Sequence, residues 1–292
     1  MPLPSTSLSA AELQFLDEAA SYLEQPSFLI RVADFVGQPA ERLLKLLPER
    51  AHAMVSQIAQ SALERAFGLA VRSLSSRRWP IVGRWQPAAG PRLHVALTAI
   101  SGGAGGLFGW PGAAVEIPIT TTLMMRSIAE IARQSGADLS DPETLMQCLA
   151  VFSYGSPRLE AMESAFLSWR VAMSTAVSEA AAYLALHGAG GAAHTAAPVL
   201  VRFLNAIAAR FQIVISDKLA AEAVPVAGAV SGSLINAAFT DHFNRVAKFH
   251  FGILRMERRY GAETVQAAYR QSVERARQRR PTAHPPTLRR PT

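Results

Sequence analysis

One acidic residue stands alone in a long stretch without other charges. Glu116 lies in the run GWPGAAVEIPITTTL, and the next charged residue, Arg126, could pair with Glu130 four positions later on the same helix. A carboxylate buried in such apolar surroundings must be paired, protonated or bound to a cation. Two alternatives follow for Glu116: a structural ion pair or helix cap, or a role in a functional site.

A second group of polar residues lies towards the C-terminus, where Asp241, His242 and His250 occur with Asn236 nearby. The two histidines are about 80° from eclipsed on a helix with 3.6 residues per turn, so they converge only with help from another helix. Glu116 could supply that help. Such a set could hold Zn²⁺ or Fe²⁺, or it could be a buried polar network that fixes helix register.

The chemical alternative is therefore a metal-assisted hydrolase, with a divalent metal as its only expected cofactor. Its candidate catalytic residues are Glu116, Asp241, His242 and His250, and its candidate metal ligands are Glu116, Asp241 and His242. Other catalytic motifs are absent: no lysine follows a glycine, and there is no G-x-S-x-G or H-E-x-x-H sequence. The single cysteine, Cys148, excludes an internal disulfide and predicts an inert core thiol.

The net charge of +7 over 292 residues is concentrated at the C-terminus. Six arginines and no acidic residue follow Glu274, so subtracting six from +7 leaves residues 1–274 at +1. This distribution argues against a basic nucleic-acid-binding face on the folded body. Residues 271–292, rich in proline and arginine, are expected to form a disordered basic tail.

Apolar residues recur at helical spacing along most of the chain, and no run alternates as a strand would. The expected fold is all-α, a multi-helix bundle with close-packed central helices rich in Gly and Ala. In the first half of the chain, capping and proline signals predict helices over 9–24, from Pro48 to about 75, and after a Ser140–Glu143 capping box. In the second half they predict a helix from Ser156-Pro157 to Gly188 and one over 195–221 that starts near Pro198. The last two predicted helices cover 224–260 and 262–277.

Three segments carry almost no charge over about 20 residues, the length that spans a bilayer. They are Val95–Val115, Ala180–Val201 and Ala223–Thr240. Glycines four residues apart would allow close helix packing, as in membranes, but glycine clusters and proline argue against permanent spanning. Soluble core helices, conditionally inserting segments and spanning helices stay open. The glycines expected at a membrane or partner contact are Gly102, Gly106, Gly109, Gly228 and Gly232.

An irregular connector, SRRWPIVGRWQPAAGPR, covers residues 76–92. Indole rings and arginine together suit a membrane–water interface. Arg77, Arg78, Trp79 and Trp85 are therefore candidate interface anchors. The alternative is a surface loop anchored by buried tryptophan.

Two long blocks in the expected order resemble the EcsC family: GGAGGLFGWPGAAVEIPITTTLMMRSIAEIARQSGADLSDPETLMQCLAVFSYGS and VPVAGAVSGSLINAAFTDHFNRVAKFHFGILRMERRYG. The resemblance implies a helical domain over about 40–270, preceded by a helical extension over 1–39. Family members are bacterial, and the founding member is encoded beside the subunits of an ABC transporter. The resemblance thus implies a membrane-proximal binding protein without established catalysis.

No targeting segment is evident at the N-terminus. The expected location is the cytoplasm, peripheral to the inner face of the cell membrane. The expected partner is membrane lipid or an integral-membrane protein such as an ABC transporter.

Overall fold

The computed structural model describes residues 7–24, 49–76, 109–154, 164–192, 197–222 and 229–279. These residues form eight α-helices and no strand, which confirms the predicted all-α, multi-helix fold. The helices are α1 (Ala10–Leu23), α2 (Glu49–Ser76), α3 (Gly109–Gln134), α4 (Pro142–Ala150), α5 (Ala165–Ala192), α6 (Pro198–Glu222), α7 (Ala229–Tyr260) and α8 (Ala262–Gln278), with a 3₁₀ turn at Val151–Ser153 after α4.

Local sequence signals fix several helix ends as predicted. At the start of α1 the Ser9 side chain accepts from the backbone N–H of Glu12, and the Glu12 carboxylate accepts from Ser9 N at 2.8 Å. This reciprocal capping box satisfies two N–H groups that the helix leaves without partners. Gly261, at φ 85°, separates α7 from α8 because glycine tolerates this left-handed conformation.

The predicted capping box of α4 is wrong by one residue. Asp141, not Ser140, is the N-cap, and its carboxylate accepts from the backbone N–H groups of Glu143 and Thr144. The Ser140 hydroxyl instead donates to Asp138 at 2.8 Å. Pro142 occupies the first helical turn, so the residue before it has the extended backbone that an N-cap requires.

The prediction of one continuous helix from Ser156-Pro157 to Gly188 is wrong, whereas its predicted start lies outside the described residues. Residues 155–163 lie outside the described ranges, and α5 begins at Ala165 after the non-helical Ser164. At its other end, Gly188 interrupts the helix with φ 60° and ψ −165°, as the predicted stop requires. The uncharged stretch 180–201 is therefore divided between α5 and α6 and is not one continuous helix.

The predicted start of the basic tail, residue 271, lies within helix α8. Helix α8 continues to Gln278, and Ser272 and Val273 are buried within it. Arg275 belongs to this helix and pairs with Asp17 of α1 at 2.6 Å. The boundary between 39 and 40 lies outside the described residues, whereas α1 itself packs against α8.

The helices pack around one continuous apolar core. Helix α2 contacts both α3 and α6, α7 lies against α3 and α8, and α5 packs on α4 and α6. Phe152, Phe211, Phe239 and Phe243 form a chain of ring contacts between the 3₁₀ turn, α6 and α7. This packing brings the first half of α3 beside the end of α6 and the start of α7.

Candidate functional site

The lone carboxylate of α3 forms a buried ion pair with α6. The Glu116 oxygens lie 3.1 and 3.2 Å from Lys218 Nζ, and the two residues are 6% and 0% exposed. Thr120, one turn along α3, donates its hydroxyl to Glu116 at 3.2 Å. The ion-pair alternative for Glu116 is thus the one that the structure shows.

A third helix contributes to the surroundings of this pair. The Lys218 ammonium lies 5.8 Å from the centre of the Phe239 ring of α7. Asn236 and Thr240 of α7 and Asp217 of α6 are buried as well. Charged and polar groups therefore face inwards where α3, α6 and α7 meet.

The outer surface of the same helices carries aliphatic side chains. Val115 is 62% exposed, and Ile119, Ile213 and Leu234 are between 45% and 47% exposed. We call this region the inverted end: residues 115–120 of α3, 213–218 of α6 and 234–240 of α7. Apolar residues such as Ile117, Val214 and Phe239 fill the same interior, but the charged pair beneath four exposed aliphatics partly reverses the distribution expected for helices facing water.

Helical spacing explains how one short segment produces both faces. Glu116 and Thr120 are four residues apart and point inwards, whereas Val115 and Ile119, also four apart, point outwards. On α7, Asn236 and Thr240 repeat the inward spacing. The helical spacing in α3 and α7 therefore places these polar residues on the side of each helix that faces the interior.

The structure does not assemble the predicted histidine cluster. His242 lies between two tyrosines: its Nε2 is 3.2 Å from the Tyr154 carbonyl, and its Nδ1 is 3.1 Å from the Tyr22 hydroxyl. Since a carbonyl can only accept, Nε2 carries the proton and Nδ1 accepts from Tyr22. Both ring nitrogens thus have partners that tie α7 to α1 and to the 3₁₀ turn.

The other two members of that cluster lie elsewhere. His250 Nε2 donates to the Gln147 amide oxygen at 2.9 Å, and the ring packs among Phe166 and Trp169. Asp241 pairs with Arg245 on the surface of α7 at 2.6 Å. In the described part of the chain, no group of three His, Cys, Asp or Glu residues could hold a metal ion. The predicted set of Glu116, Asp241 and His242 is therefore not brought together.

Most of the predicted membrane-contact residues cannot be compared with the structure. Arg77, Arg78, Trp79, Trp85, Gly102, Gly106 and Gly228 lie outside the described residues. Gly109 is the first residue of α3, and Gly232 lies near the start of α7. These two glycines thus lie at or near the start of two of the three helices of the inverted end.

Within the described ranges, one helix is a candidate for crossing a membrane. The segment Pro198–Ala220 of α6 is long and apolar enough by length and composition, with 39% of its apolar window buried. It does not coincide with any of the three predicted segments. Only its first residues, 198–201, belong to the predicted segment 180–201, and the rest lie before the next predicted segment, which begins at Ala223. Length and composition alone do not separate it from the core helix of a soluble protein.

Sequence reasoning missed the partner of Glu116. Lys218 is 102 positions away, so no local spacing links the two residues. The available signal was the pair Asp217-Lys218 at the end of an otherwise apolar run in α6. A second expectation is also wrong, because Glu130 pairs with Arg133 at 2.6 Å and not with Arg126.

Fold and site together define an all-helical bundle with a buried ion pair beneath an aliphatic surface. The chain belongs to the EcsC protein family, whose sequence model matches residues 23–255 of the 292. No curated protein and no solved structure gives a significant match.

Proposed function

We propose that this EcsC-family protein is a membrane-associated helical binding protein whose inverted end contacts the acyl chains of a bilayer. The observation that carries the proposal is the reversal described above, with Glu116 and Lys218 paired inside and Val115, Ile119 and Leu234 outside. When exposed aliphatic side chains enter lipid, their removal from water is favourable by a free energy of about 25 cal/mol per Å² of apolar area.

The buried pair suits this environment because hydrocarbon cannot solvate an isolated charge. Ionisable residues of proteins within lipid face the bundle interior and pair with each other. Glu116 and Lys218 already satisfy that condition. The inverted end can therefore enter the outer part of a bilayer without exposing either charge.

The proposed mode is interfacial and not transmembrane. Helix α6 packs along α2 and α5, and its last turns carry the buried Asp217 and Lys218. Spanning would separate α6 from these neighbours. An interfacial helix instead places its apolar face about 5–10 Å into the boundary between headgroups and acyl chains.

The proposed location is the inner face of the cell membrane, as the family resemblance implies. An integral-membrane protein such as a transporter stays a candidate partner on the same ground. Lipid is the partner that the exposed aliphatic side chains favour. None of this requires catalysis by the protein.

Co-sedimentation of the full chain with vesicles of phosphatidylcholine alone, and with added phosphatidylglycerol, tests the proposal. Ile119→Glu and Leu234→Glu place a charge on the inverted end and should reduce the bound fraction at least tenfold. Leu186→Glu is the matched control, because Leu186 is an aliphatic on α5 that is 82% exposed. It should bind as the unaltered chain does.

A variant with glutamine at Arg280, Arg289 and Arg290 separates electrostatic attraction from insertion. If these three changes abolish all binding while Ile119→Glu has no effect, the tail and not the inverted end recognises the membrane. Equal loss in Ile119→Glu and Leu186→Glu would also contradict the proposal. Circular dichroism should show that every variant retains its helices, because the altered sites in the helices are at the surface.

A further inference from the structure

A cleft of about 690 Å³ lies between α2 and α3, outside the inverted end. Arg65 and Arg72 of α2 and Arg126 of α3 line it, together with one acidic residue, Glu64. Three arginines and one glutamate give the lining a formal charge of +2. Because Gly68 of α2 has no side chain, it leaves space beside the Arg72 guanidinium.

Arg126 is the unusual member of this lining. It is half-buried, and its Nε is fully buried without a hydrogen-bond partner among the described residues. Glu130, the nearest acidic residue along α3, pairs with Arg133 instead. Burial lowers the pKa of Arg126, because water solvates the guanidinium less well than at the surface. The described structure thus holds a partly desolvated cation without a counter-charge.

We propose that this cleft binds a phosphate group, with Arg126 as its central ligand and Arg65 and Arg72 at its mouth. A phosphate offers several acceptor oxygens to the fixed fork of each guanidinium, and charge-assisted bonds of this kind are strong. The bound dianion would supply the counter-charge that Arg126 lacks. Glu64 is exposed and stays hydrated, so it opposes the anion weakly.

The position of the cleft connects it to the inverted end. Val115, Ile119, Thr122 and Arg126 follow each other at spacings of four, three and four, so they share one face of α3. Arg126 lies about 10 Å along the helix axis from Ile119, at 1.5 Å per residue. If this face of α3 lies in the membrane interface, the cleft is about 10 Å from Ile119 along the helix and within reach of the lipid phosphates. A lipid with a phosphate-monoester headgroup, such as phosphatidic acid, is one source of the bound phosphate group. Only this source rests on the proposed function.

Calorimetric titration of the full chain with inorganic phosphate, against sodium chloride of equal ionic strength, tests the site without lipid. The unaltered chain should bind phosphate, and Arg126→Gln should weaken binding at least tenfold. Arg270→Gln is the matched control, since Arg270 of α8 is exposed and outside the cleft, and it should change the affinity less than twofold. Arg65→Gln alters an exposed residue and should give an intermediate loss in a chain that folds normally.

Vesicles of phosphatidylcholine, with and without phosphatidic acid, form the second arm. Stronger binding to phosphatidic acid that Arg126→Gln removes would show a lipid source, and phosphate binding without that gain would show a soluble one. The site is disproved if phosphate does not bind and phosphatidic acid adds nothing, or if Arg126→Gln and Arg270→Gln behave alike. Phosphate binding that depends on Arg126, in a chain that binds no vesicle, would leave the site and remove the proposed function.

Discussion

Two buried carboxylates lie at two regions of this bundle and accept from different donors among the described residues. Glu116 of the inverted end has a cation as its main partner, Lys218. The donors to Glu24 include the hydroxyls of Ser164 and Tyr269, at 2.7 and 3.1 Å, and the first backbone N–H groups of α5. We call this second region the closed end: α1, α8, the start of α5 and the last half of α7.

The outer surfaces of the two regions also differ in polarity. At the closed end charged residues pair across helices on or near the surface, as in Asp17–Arg275 and Arg170–Glu257. The closed end exposes two large hydrophobics, Leu13 and Val171, whereas the inverted end exposes four: Val115, Ile119, Ile213 and Leu234. Under the proposed function, the inverted end is the region that contacts the less polar medium. This difference is the physical basis of the proposed membrane contact.

The largest effect is expected from removing the cation of the inverted end. Lys218→Met leaves Glu116 as a buried charge without its ammonium partner and should lower the free energy of unfolding by about 3–5 kcal/mol. Adding Glu116→Leu should restore most of that loss, because the uncompensated charge is gone. Urea denaturation measures both variants. A single variant within about 1 kcal/mol of the unaltered chain would show that the pair is not desolvated.

At the closed end, Glu24→Gln should lower the free energy of unfolding by about 2–3 kcal/mol. The amide nitrogen would face N–H donors of α5 and leave at least one of them without an acceptor. The matched change Glu18→Gln on the exposed face of α1 should cost less than about 0.5 kcal/mol. Equal losses from the two changes would mean that Glu24 contributes no more than a surface carboxylate.

Close packing of α7 on α1 gives the next prediction. A Cβ at Gly252 would lie 2.3 Å from the ring tip of Phe15, so Gly252→Ala should destabilise the fold by about 1–2 kcal/mol. Combining it with Phe15→Leu should recover part of the loss. Gly68→Ala is the control: its nearest contact would be 3.9 Å, and it should raise stability by up to about 1 kcal/mol. Thermal unfolding distinguishes these outcomes.

The smallest expected effect concerns pH. Burial, and then the positive charge of Arg170, hold the pKa of His250 well below its ordinary 6.5. The unfolded chain takes up this proton near pH 6.5 while the folded chain does not. Stability from this group is therefore complete above about pH 6.5 and falls below it, by at most about 1.4 kcal/mol per pH unit.

His250→Phe should reduce this acid sensitivity, measured as the change in the free energy of unfolding between about pH 7.5 and about pH 5.5. His187→Phe changes an exposed histidine and is the comparison. An unchanged pH profile in His250→Phe would show that the pKa of this histidine is the same in the folded and unfolded chains.

Much of the fold followed from local signals. The Ser9–Glu12 capping box, the start after Pro48 and the glycine at 261 gave helix ends that the structure confirms. Where prediction failed, a competing cap nearby or a distant partner decided the outcome. Asp141 replaced Ser140 because Pro142 follows it, and α5 begins where Glu24, more than a hundred residues earlier, accepts its N–H groups.

The candidate site was predictable only in part. Glu116 could be identified because it is a single charge in an apolar run, but Lys218 could not be assigned to it from spacing. The two histidines suggested a metal cluster because their actual partners, Tyr22 and Gln147, lie on other helices and are not evident from the sequence. The exposure of Val115 and Ile119 could not be predicted at all, since apolar residues beside a buried segment are normally assigned to the core.

The most direct test of the central claim measures the environment of one probe at the inverted end. Ile119→Cys and Leu186→Cys variants are each labelled with the fluorophore NBD. Cys148 should not react, because it is buried and burial raises the pKa of its thiol. With phosphatidylcholine–phosphatidylglycerol vesicles, the probe at 119 should shift to the blue and be quenched by brominated acyl chains, while the probe at 186 does neither. Equal responses at the two sites, or a response at 186 alone, would contradict the account.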